Sequence, residues 1–333
     1  MPPSEDSSAT PPAPPTPSAR RRVVVWLDPD QIDLVREVAE RANLELTAAG
    51  SASGAAASTV AEAFAAERRP DLRQAVFDLE YEALWIATMS GIDSDDLPAI
   101  IEKAPVIVSN EPLADHWASS VEGGSADGAW VVPLFRNTAT AALYDDLRES
   151  FGAVRAMSVH ARGRRAHGSL YARLTDALDF IERVAGPLEL IDAGLSGPLA
   201  DPPATLRDMH GHIAFNARFP VNISACGLVS DLGGEWSRGA TILGEGGCIR
   251  MTDTQFEWWD HDGRLVDSAN LPEFDSAASV LADQIDRAID ARKRRLEPRE
   301  PRRTVAACEA ARLSLRTGQS ESPRKLLEMA TRS

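Results

Sequence analysis

Glu111 closes a short apolar run. The segment Ala104-Pro105-Val106-Ile107-Val108-Ser109-Asn110-Glu111-Pro112-Leu113-Ala114 reads as a buried strand over Val106 to Val108, then a polar turn, then a helix start. Two more carboxylates, Asp176 and Asp179, sit three residues apart in a helical stretch, on one face. Were Glu111, Asp176 and Asp179 to converge, they could do glycosidase-type acid–base work or hold a divalent cation. Otherwise the two aspartates face solvent or pair with Arg173 and Arg183. A proton relay near neutrality needs a group that titrates there, which an aspartate does only when burial raises its pKa by several units. A second pair, Asp28 and Asp30, brackets Pro29 ahead of a helical pattern, with Gln31 placed to close a capping box. His160, Arg162, Arg164, Arg165 and His167 form a basic stretch that could take an anion, offset those carboxylates or lie in a solvated loop. His210 and His212 alternate along a strand edge without further ligands, and no metal site is expected. Cys226, Cys248 and Cys308 match no metal spacing and read as small buried thiols in a reducing, cytoplasmic setting.

Strands alternating with helices must position these groups. Val23-Val24-Val25-Trp26 is continuously apolar, as suits a strand buried on both faces of a parallel sheet. Ile32, Val35, Val38, Ala39 and Ala42 make one helical face. Leu44 to Ala48 reads as a strand and Ala55 to Glu67 as a helix with Val60, Ala63 and Phe64 inward. Ala83 to Ala87 is a strand ending at Thr88, Asp95 to Lys103 a short helix, and Trp130 to Phe135 a further strand. This alternation predicts a doubly wound parallel sheet over residues 21–136. The pattern then changes. A helix over Thr138 to Ser150, with Ala142, Leu143 and Leu147 on one side, precedes strand-like stretches at Val154–His160, Leu188–Asp192, His212–Arg218, Val221–Leu228 and Ala240–Leu243. Helices are expected over Tyr171–Val184, Ala277–Arg294 and around Ala306–Ala311. Gly244–Gly247 and Asp260–Gly263 read as tight turns. Residues 137–333 therefore predict an α+β domain on a large, mostly antiparallel open sheet.

Composition sets bounds. The chain has 333 residues, 44% of them apolar, enough for two packed domains. A net charge of −15 with a pI near 4.9 argues against general nucleic-acid binding. No apolar run approaches the roughly 18 residues of a membrane span. Residues 1–20, rich in Pro, Ser and Ala without an apolar core, read as a disordered tail rather than a signal peptide.

The order of these parts resembles the Gfo/Idh/MocA family of nicotinamide-dependent sugar oxidoreductases. The resemblance rests on the turn Ser109 to Ala114, on Ile242-Leu243-Gly244-Glu245-Gly246-Gly247-Cys248-Ile249-Arg250, on Phe256-Glu257-Trp258-Trp259-Asp260-His261-Asp262-Gly263, and on the closing helix Cys308 to Gln319. It implies a Rossmann domain for NAD or NADP, a second domain whose sheet lines a site for a sugar-like ligand, and homo-oligomers through that sheet. It also places Glu111 at the family's catalytic lysine, Asp176 at its histidine, Ala172 at an earlier aspartate and Asp179 at a retained aspartate. By position, Asp28, Asp30, Thr88 and Asn110 would face the cofactor.

The cofactor turn itself departs from the family. A dinucleotide fold needs glycines where the backbone approaches the pyrophosphate. Leu27-Asp28-Pro29-Asp30-Gln31 offers a capped helix start instead, and each carboxylate at ~5 Å would oppose a phosphate charge by ~3 kcal/mol at an effective dielectric near 20. Ala48-Ala49-Gly50-Ser51-Ala52-Ser53 holds no carboxylate or arginine to read a ribose; Gly50 and Gly54 suit a relocated phosphate loop or a flexible linker. These departures predict a homologue without the usual dehydrogenase chemistry, in a binding, regulatory or partner-subunit role. The alternative is an active NAD(P)-dependent oxidoreductase with a rebuilt site.

Overall fold

The computed structural model describes residues 20–114, 129–198, 203–220, 222–293 and 302–330. The tail expected over residues 1–20 lies, except for Arg20, outside them, as does most of the charged stretch after Arg294.

The first half holds β1 (Arg21–Trp26), α1 (Ile32–Arg41), β2 (Leu44–Gly50), α2 (Gly54–Phe64), β3 (Glu67–Arg69), α3 (Leu72–Asp78), β4 (Ala83–Ile86), α4 (Leu97–Lys103), β5 (Ile107–Ser109) and β6 (Ala129–Val131). The six strands form one parallel sheet in the order β3-β2-β1-β4-β5-β6. The order reverses between β1 and β4, and ligands of open α/β sheets bind outside the strand ends at such a point. The apolar run of β1 is buried because its alternate residues feed two cores. Val23 and Val25 pack with Val35 and Val38 of α1, while Val24 and Trp26 face Leu72, Val76 and Ile100.

The second half holds α5 (Ala139–Phe151), β7 (Val154–Arg164), α6 (Leu170–Ala185), β8 (Leu190–Ser196), β9 (His212–Arg218), β10 (Ser224–Ser230), β11 (Leu232–Gly244), β12 (Gly247–Thr252), β13 (Gln255–Trp259), β14 (Leu265–Asn270), α7 (Ala277–Lys293), α8 (Arg302–Thr317) and α9 (Pro323–Ala330). Its eight strands run β14-β13-β12-β11-β7-β10-β9-β8, antiparallel except for the β7–β10 pair. The two-domain α/β plus α+β architecture is the expected one. One face of the sheet packs Met157, Val159, Ile213, Phe215 and Ile242 against Leu174, Leu178 and Ile181 of α6 and Ala307 and Ala311 of α8. Helix α7 returns to the parallel half, where Leu281, Ile285 and Ile289 pack with Val35 and Val38.

Several details differ from the sequence reading. The strand expected over Trp130–Phe135 stops at Val131, since Pro133 has no N–H to extend a ladder. On α5 the buried face carries Ala141, Tyr144 and Phe151, whereas Ala142 is exposed. Gly50 and Gly54 belong to no linker: Gly50 ends β2, and Gly54 opens α2 behind the capping hydroxyl of Ser53, which accepts from Ala56 N–H at 3.2 Å.

Candidate functional site between the domains

The ends of β1, β4 and β5 meet the start of α6 around a cleft of about 250 Å3, lined among others by Asp28, Asp30, Thr88, Asn110 and Glu111. Arg165, Ser169 and Arg207 contribute from the second domain. The structure thus brings five of the expected site residues to one place, at the switch point of the parallel sheet.

Each of them is held by local chemistry. The Asp28 N–H donates to Gln31 Oε1 at 3.0 Å, the glutamine half of the expected box, and Asp28 Oδ2 accepts from the Thr88 hydroxyl at 2.9 Å. Burial raises the Asp28 pKa, the Thr88 bond opposes this, Asp30 adds to it, and Arg165 offsets it. Glu111 is buried at 8% exposure and its Oε2 accepts from Ser169 Oγ at 2.6 Å. Ser169 is also the N-cap of α6, accepting from Ala172 N–H at 3.1 Å. The Glu111 carboxylate is therefore docked at the positive end of a helix. Asn110, 2% exposed, accepts from Trp85 Nε1 at 3.0 Å through Oδ1. An indole N–H is only a donor, which fixes the amide's orientation and leaves Asn110 Nδ2 without a partner.

Asp176 and Asp179 do not line this cleft. They lie about 10 and 15 Å further along α6 than Ser169, at 1.5 Å per residue. Asp176 is fully enclosed, accepting from Phe135 N–H at 2.5 Å and from Arg238 Nη1 at 2.9 Å. Arg238 also donates through Nη2 to Asp253 Oδ1 at 2.7 Å and through Nη1 to the Pro133 carbonyl at 3.2 Å. Trp236 Nε1 donates to Asp253 Oδ2 at 3.0 Å, with the guanidinium groups of Arg238 and Arg173 over its ring at 4.9 and 5.4 Å. Burial raises the Asp176 pKa, and Arg238 works against it. Burial opposes the charge of Arg238, yet Asp253 and Asp176 hold its pKa above the ordinary value. Asp179 pairs with Arg136 at 2.5 Å, and burial pushes its pKa up to about 6. The partners differ from the Arg173 and Arg183 suggested by sequence proximity. Arg173 donates to the Arg164 carbonyl at 2.7 Å, and Arg183 pairs with Asp145.

The basic stretch divides. His160, Arg162 and Arg164 point outward along β7, Arg165 reaches the cleft, and half-buried His167 meets the Trp236 ring edge-on at 6.3 Å. His210 Nδ1 bonds Asp231 Oδ2 at 2.7 Å. Among the described residues, no group of three or more His, Cys, Asp and Glu is placed to hold a metal ion. Sequence reasoning missed Ser169, Arg207, Trp236 and Arg238. Arg238 carried a signal: it shares strand parity with Ala240 and Ile242, so an inward Ile242 turns Arg238 inward too.

The backbone and side chains at the entrance of α1 are already engaged with one another. Pro29 offers no N–H at the first turn, and the Gln31 side chain, 4% exposed, fills the helix entrance by donating to the carbonyls of Ala87 at 3.0 Å and Ala166 at 3.3 Å. Beyond it, Gly50 packs on Trp26: a Cβ there would come 2.6 Å from the indole. Trp26 Nε1 donates to Ser90 O at 2.9 Å, and a Cβ on Gly91 would come 2.7 Å from Ala52. The loops after β2 and β4 touch at Ala52 and Gly91.

No protein-family model matches the chain, and no curated protein matches it by sequence. Solved structures do. It is similar to an oxidoreductase from Agrobacterium radiobacter in complex with NAD+, L-tartaric acid and magnesium, at TM-score 0.67 and 16% identity over 92% of this chain and 99% of that one. The WlbA dehydrogenase from Bordetella pertussis, in complex with NADH and UDP-GlcNAcA, gives 0.63 and 17% over 91% and 98%. The apo scyllo-inositol dehydrogenase from Lactobacillus casei gives 0.68 and 13% over 92% and 98%. Over almost its whole described length, the chain has the two-domain fold of the Gfo/Idh/MocA-type oxidoreductases that its sequence resembles.

Proposed function

We propose that this chain is a binding protein on an oxidoreductase fold, whose interdomain cleft takes a small sugar-like ligand without the usual lysine–histidine hydride-transfer chemistry. The observation that carries this reading is the Gln31 side chain at the entrance of α1, bonded on three sides where a pyrophosphate would need free amides. The cleft size agrees: about 250 Å3 falls below the roughly 300–1,000 Å3 of drug-sized sites. A regulatory or partner-subunit role follows from binding without turnover. Of the three cysteines expected to be buried only Cys308 is, Cys248 being half-buried and Cys226 exposed on an outward strand position; free thiols agree with a cytoplasmic location, and the outward face of the eight-stranded sheet would serve a homo-oligomer.

A second reading keeps the enzyme. The cleft lies at the switch point of the sheet, and similar structures hold NAD+ or NADH. On that reading the chain is an NAD(P)-dependent oxidoreductase for a sugar or polyol, with Glu111 and its neighbours in rebuilt roles. Titration with NADH and NADPH, followed by nicotinamide fluorescence, separates the two. Asp28 and Asp30 each oppose a phosphate charge by ~3 kcal/mol, enough together to weaken a micromolar site about four decades. No saturation is expected below about 1 mM; a micromolar dissociation constant overturns the binding-protein reading.

A further inference from the structure

We propose that the cleft ligand carries a primary ammonium beside a hydroxyl or ether oxygen, as in an aminated sugar or a free amino alcohol. This rests on the small-ligand reading above and narrows it. Three carboxylates, Asp28, Asp30 and Glu111, line the cleft against two guanidinium groups, Arg165 and Arg207. One of the two is partly committed, because Arg207 Nη2 donates to the Leu113 carbonyl. Arg165 is exposed and reaches Asp28 only through its field. A carboxylate excess in a half-buried cleft favours a cation over a neutral or anionic guest. Burial is the main cause of the raised Asp28 pKa, and the Asp30 charge adds to it.

The oxygen requirement comes from Asn110. Its Oδ1 is occupied by Trp85 Nε1, and its Nδ2 is a buried donor with no partner. Leaving such a donor unmatched is costly, so a ligand acceptor there is rewarded. The closed contact between Gly91 and Ala52 limits the guest to one that stays within the cleft.

The test is calorimetric titration of the full chain with D-glucosamine, ethanolamine, N-acetyl-D-glucosamine and D-glucose. Glucosamine, ethanolamine or both should bind at least about tenfold tighter than the two neutral sugars, and the preference should shrink with added salt. Glucosamine alone assigns the ligand to aminated sugars, ethanolamine alone to free amino alcohols. The D28N/D30N variant should lose most of the preference. Asn caps a helix as well as Asp does, so this variant keeps the fold. E111Q, which retains an acceptor for Ser169, gives an independent second reading. Neutral sugars binding as tightly as the amines overturn the ammonium assignment and leave the small-ligand cleft standing. Silence from all four probes overturns the assignment too. Micromolar binding of NADH instead overturns the reading beneath it.

Discussion

Arg238→Met tests whether Asp176 belongs to a structural network. Arg238 is 2% exposed and is the cation shared by Asp176 and Asp253. Methionine has similar length and no charge, so the change leaves two enclosed carboxylates without their partner. Breaking a buried pair in this way costs about 3–5 kcal/mol. At roughly 2–4 °C per kcal/mol for a domain of this size, the melting temperature should fall by about 6–20 °C. The pH dependence carries a sign. Burial already holds the Asp176 pKa above its unfolded value of 3.8, and Arg238 is the main opposing influence. Without it native Asp176 binds its proton still more tightly than the unfolded chain does. The deficit is then full above the folded pKa and relieved as the pH falls through it, so it should be larger near pH 8 than near pH 5. Paired melts of the parent, R238M and D176N/R238M at the two pH values measure this, and the double variant should recover part of the loss. A deficit below about 1 kcal/mol, or one equal at both pH values, would refute the assignment of Asp176 to a structural network.

Two further outcomes are expected. Burial pushes Glu182 up to about 7, above its unfolded 4.5, so its contribution is present at low pH and lost as pH rises through that window. Glu182→Gln should therefore stabilise the protein by on the order of 1–2 kcal/mol near pH 8 and little near pH 4, read from thermal melts. Gly50→Ala should destabilise by about 1–3 kcal/mol, because its Cβ meets Arg69 O at 2.4 Å and the Trp26 ring at 2.6 Å. A neutral result in denaturant titration would mean that Gly50 is not held tightly against Trp26 and β3.

Much of the fold was legible because burial leaves a period in the sequence. The apolar runs of β1, β4 and β5 and the 3.6-residue face of α1 are local signatures of a layered parallel sheet. Where the pattern was weak, so was the reading. β3 is Glu67-Arg68-Arg69, a charged edge strand that exists because β2 offers it a ladder. β11 runs back to Leu232 through Gly233-Gly234-Glu235, with a register shift before Ser237 that no periodicity announces. On α5 the helix was clear but its buried face was not, since Tyr144 outweighs Ala142 once Phe151 and the neighbouring elements are in place.

For the site, the sequence determined which side chains stand at the ends of β1, β4 and β5. Strand ends and cap residues are set within a few positions of chain, so Asp28, Thr88, Asn110 and Glu111 could be placed together by strand order. Only the tertiary structure decided what those groups touch. Glu111 meets Ser169 across 58 residues, Asp176 meets Arg238 across 62, and Gln31 meets Ala166 across 135. Such pairings depend on how two domains pack, and a carboxylate's role depends on whether its partner is water, a helix end or a buried guanidinium.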